Sequence, residues 1–78
     1  MTPVDRLAEL FGRVHAGDKS VRWIEMQKAD LDLLEGSYVF QENYGYYIWG
    51  AAIKFEDSIT RGYVKVDKLS GVHPFRVQ

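Results

Sequence analysis

Apolar residues recur along this chain with two different periods. Val4, Leu7, Ala8, Phe11 and Val14 follow helical spacing, Leu10 widens the stripe, and Arg6, Glu9 and Arg13 fall on the other side. Thr2 can cap such a helix, Pro3 suits its first position, and Asp5 sits where the positive end of the dipole favours an acid. Gly17 is a natural stop, so the spacing predicts a helix over Pro3 to His15. Gly12 inside it costs about 0.5–1 kcal/mol relative to alanine, which predicts close packing on a sheet.

From Ser20 onward the period shortens to two. Asp18-Lys19 reads as a polar turn, and Ser20 to Gln27 as a strand with Val21 and Trp23 on one face and Ile24 and Met26 on the other. Apolar residues on both faces predict a doubly covered strand, or a bulge between Trp23 and Ile24. Ala29 to Glu35 reads as one or two helical turns with Asp30 as a cap. Ser37 to Phe55 then holds four of the five tyrosines and predicts a β-hairpin with its turn near Asn43-Tyr44-Gly45, because Asn and Gly tolerate positive φ. In its second arm, Tyr47, Trp49, Ala51, Ile53 and Phe55 are the bulkier set and are expected to face the core. Tyr46, Ile48, Gly50, Ala52 and Lys54 would face away, and the small residues Gly50, Ala51 and Ala52 predict a helix lying across the sheet.

Glu56 to Gly62 is a polar loop, and Tyr63 to Lys68 alternates cleanly as a strand with Val64 and Val66 inward. Ser70-Gly71 makes a last turn before Val72 to Val77, an edge strand because Pro74 cannot donate to a ladder. The expected architecture is one α+β domain over residues 1–78: a main N-terminal helix packed on an antiparallel sheet of about four strands.

Composition narrows the function. Seventy-eight residues support a single core. The chain has no cysteine, which removes disulfides and thiolate chemistry and favours a reducing, cytoplasmic setting. No apolar run approaches the ~20 residues of a membrane span, and Met1 to Gly12 lacks a signal-peptide pattern. Ten Lys plus Arg against eleven Asp plus Glu leave a net charge of −1, with the signs interspersed. A nucleic-acid partner normally demands a basic stripe, and none is visible.

Catalytic patterns are absent: there is no G-x-S-x-G, H-E-x-x-H, P-loop or G-x-G-x-x-G. His15 ends a helix, where imidazole commonly meets terminal carbonyls, and His73 precedes Pro74. Glu42 at the hairpin turn can serve as a general acid in an aromatic pocket, though a turn carboxylate more often accepts backbone hydrogen bonds. No pair of histidines lies at metal-ligand spacing, so neither metal nor cofactor is expected.

The aromatic residues carry the functional signal instead. Tyr38, Phe40, Tyr44, Tyr46, Tyr47, Trp49 and Tyr63 exceed what one small core encloses, and strand alternation sends some outward. Base stacking would want basic neighbours, and this stretch supplies only Lys54. Tyrosine and tryptophan are enriched at protein interface hot spots, so a protein partner is the expectation, with Glu42, Tyr44, Tyr46 and Tyr63 as its contacts. These four are expected at the hairpin tip or on the face opposite Trp49 and Val64. The C-terminal strand edge also offers a route to a homodimer by strand pairing.

The order Pro3, Leu7, Leu10, Phe11, Gly17, then Leu31, Leu34, Gly36, then Val39-Phe40-Gln41-Glu42-Asn43-Tyr44-Gly45 and Ile48-Trp49-Gly50 resembles the SUKH superfamily. Its members are common as bacterial immunity proteins against polymorphic toxins. The resemblance spans roughly residues 3 to 56, and its distinctive part is Phe40 to Gly50. Family members are usually longer, with one helix preceding and another following the shared region. The resemblance implies a non-enzymatic module that binds and neutralises a toxin. An anti-CRISPR type of inhibitor, made by a phage or mobile element against a host defence complex, fits the same features; a nucleic-acid-binding module and an enzyme using Glu42 or His73 are the further alternatives.

Overall fold

A computed structural model describes residues 1–76, and it opens with α1 (Pro3–Ala16). Its start is a reciprocal cap: the Asp5 N–H donates to Thr2 Oγ1 and the Thr2 N–H donates to the Asp5 carboxylate, each at 3.1 Å. Those bonds satisfy amides that a helix end otherwise leaves without partners. The same Thr2 amide holds the Asp5 carboxyl below its ordinary pKa. Gly17 ends the helix as expected, but the positive φ (59°) falls on the next residue, Asp18. Leu7, Leu10, Phe11 and Val14 form the buried stripe. Gly12 is exposed with open space where a Cβ would lie, so close packing does not explain it.

The strands are β1 (Trp23–Met26), β2 (Tyr38–Gln41), β3 (Gly45–Ile48), β4 (Ala51–Phe55), β5 (Tyr63–Val66) and β6 (Val72–Pro74). They form one six-stranded sheet in the order β2-β3-β4-β1-β5-β6. The fold is α+β with one N-terminal α-helix, as expected. The sheet is larger than about four strands and is mixed, since β1 and β4 run parallel while every other neighbouring pair is antiparallel. Connectivity explains the parallel pair. The segment between β1 and β4 holds a 3₁₀ helix (Lys28–Leu34) and the β2–β3 hairpin, long enough for a crossover that returns the chain in the original direction. β1 pairs without a bulge, and no helix covers its second face among the described residues.

Strand multiplicity also rose because Tyr46 to Phe55 is two strands. Trp49 and Gly50 form a two-residue turn with φ of 48° and 84°, and Ile48 lies opposite Ala51. Two consecutive positive φ values match the reversal whose twist suits a tight hairpin. The turn resets the alternation. Tyr46 and Ile48 therefore share the helix-side face with Ala51, Ile53 and Phe55, while Tyr47 faces away with Ala52 and Lys54. The expected sides of Tyr46, Ile48 and Tyr47 are thus reversed, and Trp49 is a turn residue rather than a core one. Its indole, 48% exposed, packs edge-on against Phe11 at 5.0 Å between ring centroids.

The core lies between α1 and one face of the sheet. Leu7, Leu10, Phe11 and Val14 join Ile24, Met26, Ile48, Ile53, Val64 and Val66, with Leu31, Leu34 and Phe75 closing the ends. Asp30 does not cap the 3₁₀ helix. Its buried carboxylate accepts from the Gly62 N–H and from Arg61 Nε, both at 2.6 Å, and so ties the Glu56–Gly62 loop to the helix. Gln27 Nε2 reaches the Asp57 and Ile59 carbonyls at 2.8 and 2.9 Å and pins the same loop. β5 and its inward Val64 and Val66 match the sequence pattern, and β6 is the expected edge; Val77 lies outside the described residues.

Candidate protein-binding surface

Among the described residues, three of the exposed large apolar side chains, Val39, Phe40 and Tyr44, lie together at one corner of the molecule, while Met1, Trp49, Tyr63 and Val72 are exposed elsewhere. β2 is an edge strand, and its Val39 and Phe40 are 57% and 60% exposed. The turn that follows presents Glu42, Asn43 and Tyr44, with Tyr44 at 73%. That turn forms where expected. The Tyr44 N–H donates to the Gln41 carbonyl at 3.0 Å, and Asn43 and Gly45 supply φ of 75° and 90°.

Beneath the corner is an aromatic cluster that α1 does not cover completely. Register places Tyr38, Phe40 and Tyr46 on the helix-side face, beside Phe55 of β4. Tyr46 is the hub: its ring lies 5.6 Å from Tyr38, 4.9 Å from Phe40 and 5.5 Å from Phe55, all inclined rather than stacked flat. Such inclined geometries match ring edges to ring faces and hold the cluster in one arrangement. Lys28 Nζ sits 5.8 Å from the Phe55 centroid and extends the cluster with a cation–π contact. A stiff, half-exposed aromatic platform beside an edge suits protein recognition, because little side-chain freedom remains to be lost on binding.

The two sheet edges differ. Alternation fixes which backbone groups point outward: Ile48 closes the tight turn with Ala51, so it bonds towards β4, and Val39 and Gln41 are the β2 residues that bond towards β3. Tyr38 and Phe40 therefore direct their N–H and C=O groups away from the sheet. At the other edge, Pro74 lacks an N–H and its carbonyl accepts from Arg6 Nε at 3.1 Å. β6 is blunted by those two features, whereas β2 carries neither a proline nor a charge along its length.

The helix-free face of the sheet has a different character. Trp23 is half-buried, with Lys54 Nζ 5.2 Å from its ring, and Glu25 lies opposite both Lys54 and Lys65. Tyr47 and Tyr63 share this face. Its charges alternate in sign instead of forming a basic stripe.

Compared with known protein families, curated proteins and solved structures, the chain matches none. Its geometry alone therefore places the expected contacts. Glu42 and Tyr44 sit together at the β2–β3 tip, as anticipated. Tyr46 lies behind them on the helix-side face, the same face as Val64, and supports the cluster more than it projects. Tyr63 is on the opposite face of β5, with β3, β4 and β1 between it and β2, roughly 19 Å across four strand spacings. The four residues do not converge on one surface. Val39 and Phe40 are not among the residues expected from sequence; their exposure follows from the edge position of β2, and an edge strand looks like any other until pairing is known.

Remaining candidates for chemistry are scattered. His15 lies against Phe11 at 6.3 Å, and His73 Nε2 is 3.1 Å from the Ser70 carbonyl. No pocket and no group of three metal-ligating side chains occurs among the described residues, and no helix there is long and apolar enough to cross a membrane.

Proposed function

We propose that this protein is a non-enzymatic inhibitor that binds another protein through the β2–β3 corner, and that its partner is a bacterial toxin. One observation carries the binding surface: exposed Val39, Phe40 and Tyr44 gather on an unpaired edge and its turn, backed by an inclined aromatic cluster. The toxin as partner rests on the resemblance of Phe40 to Gly50 to the SUKH pattern, since those residues are this same hairpin. Glu42 and Tyr44 contact the partner directly, Tyr46 positions Phe40, and Tyr63 belongs to a separate face.

An affinity capture from the source organism or its natural host tests the reading, using wild-type chain beside a Phe40→Ala/Tyr44→Ala variant. The expected result is one stoichiometric protein held by wild type, lost by the variant, and inactivated as a toxin when the chain is added. A captured defence complex would transfer the same surface to the anti-CRISPR reading. Capture of nothing that withstands moderate salt would overturn both, and steeply salt-dependent binding of nucleic acid would replace them.

A further inference from the structure

Between Glu35 and Ile53 the only charged side chains are Glu35 and Glu42. Both are exposed, and they bracket the β2 edge, one before the strand and one after it. Along the edge itself, Tyr38 and Phe40 offer two N–H and two C=O groups to any strand laid beside them.

A second copy of this chain satisfies the hydrogen bonds but not the charges. In the antiparallel two-fold register that pairs Tyr38 of one copy with Phe40 of the other, Val39 faces Val39. Counted along the chain from that register, Glu35 of each copy falls opposite position 43 of its neighbour, one residue from Glu42. Like charges across strands are unfavourable, and this register creates the clash twice. A foreign strand with a basic residue at each end makes the same four bonds and converts both repulsions into attractions.

We propose that the β2 edge pairs with an extended segment of the partner protein, apolar in its middle and carrying Lys or Arg at each end about six to seven positions apart. Its main chain completes the sheet, its inward side chains meet Tyr38 and Phe40, and its outward ones pass Val39. This deepens the inhibitor reading and rests on it. Strand addition of this kind takes affinity from main-chain bonds and selectivity from alternate side chains and flanking charge.

The test is an NMR titration of the full chain with two synthetic peptides that share the core Thr-Val-Tyr-Val-Thr and end in lysines or in glutamates. The lysine peptide should shift the Tyr38 and Phe40 amides and bind at least about fivefold more tightly than the glutamate peptide, from two exposed charge pairs reversed in sign. A Glu35→Gln/Glu42→Gln variant should erase that preference. Phe40→Pro removes an outward N–H without touching the bonds of Val39 or Gln41, so it should weaken binding well beyond Phe40→Ala; Tyr38→Pro serves as the second proline variant. Equal affinity of the peptides, no binding of the lysine peptide, shifts confined to the helix-free face, or self-association that protects Tyr38 and Phe40 would each overturn the proposal. A captured partner that still binds both proline variants with full affinity would overturn it too, while leaving the inhibitor reading intact.

Discussion

Asp30 shows how one side chain sets the geometry of a loop. Its buried carboxylate serves the Gly62 N–H and the Arg61 guanidinium together, and the loop they hold delivers β5 to its place beside β1. Asp30→Ala would strand the Gly62 amide in the interior, and we expect a loss of about 2–4 kcal/mol by chemical denaturation. Arg61→Ala, at an exposed side chain, should cost about 1 kcal/mol or less. Asp67 makes a second prediction. Burial disfavours its charge, but the Arg22 N–H at 3.1 Å and the neighbouring Lys68 ammonium prevail and hold its pKa below the ordinary 3.8. A lowered carboxyl stabilises the fold at pH values above the unfolded-state pKa and ceases to do so as pH falls through the folded-state one. Stability followed across the acid range should therefore decline below about pH 4, and less steeply in Asp67→Asn. An identical acid limb in the variant would assign the decline to other carboxylates, such as Asp5.

At the scale of elements, the helix and the β2–β3 turn were legible in the sequence because their signals are local. Thr2, Pro3 and Asp5 specify a start, and Asn43 and Gly45 supply positive φ. The Trp49-Gly50 turn was hidden because an indole at φ 48° is unusual and its neighbours are apolar, so an uninterrupted strand fitted the pattern equally well. From that one turn followed the reversed faces of Tyr46 and Tyr47. Gly50→Ala tests its importance: the added Cβ meets open space, so the expected cost of about 1 kcal/mol comes from backbone conformation alone. A melting temperature unchanged from wild type would mean that the turn tolerates a different geometry. Edge positions were illegible for another reason. Which strand ends a sheet depends on pairing between distant segments, and the parallel β1–β4 contact is of that non-local kind.

For the whole molecule, α1 and the sheet supply a frame, and the β2–β3 corner projects from it. Phe40 and Tyr44 are mostly exposed, so replacing both with alanine should cost only about 1 kcal/mol of stability, chiefly the Phe40–Tyr46 ring contact, while weakening partner binding by about 2 kcal/mol or more. Calorimetry of the complex and thermal unfolding of the free chain together check both halves. Tyr63→Ala, on the far side of the sheet, should leave affinity intact. The most direct test of the binding surface is amide hydrogen exchange of the free chain and of its complex with the captured partner. Protection gained on binding at residues 38–44, above all at the Tyr38 and Phe40 amides, is the result this account predicts. Protection gained only on the helix-free face around Trp23, Tyr47 and Lys54, with 38–44 still exchanging as in the free chain, would contradict it.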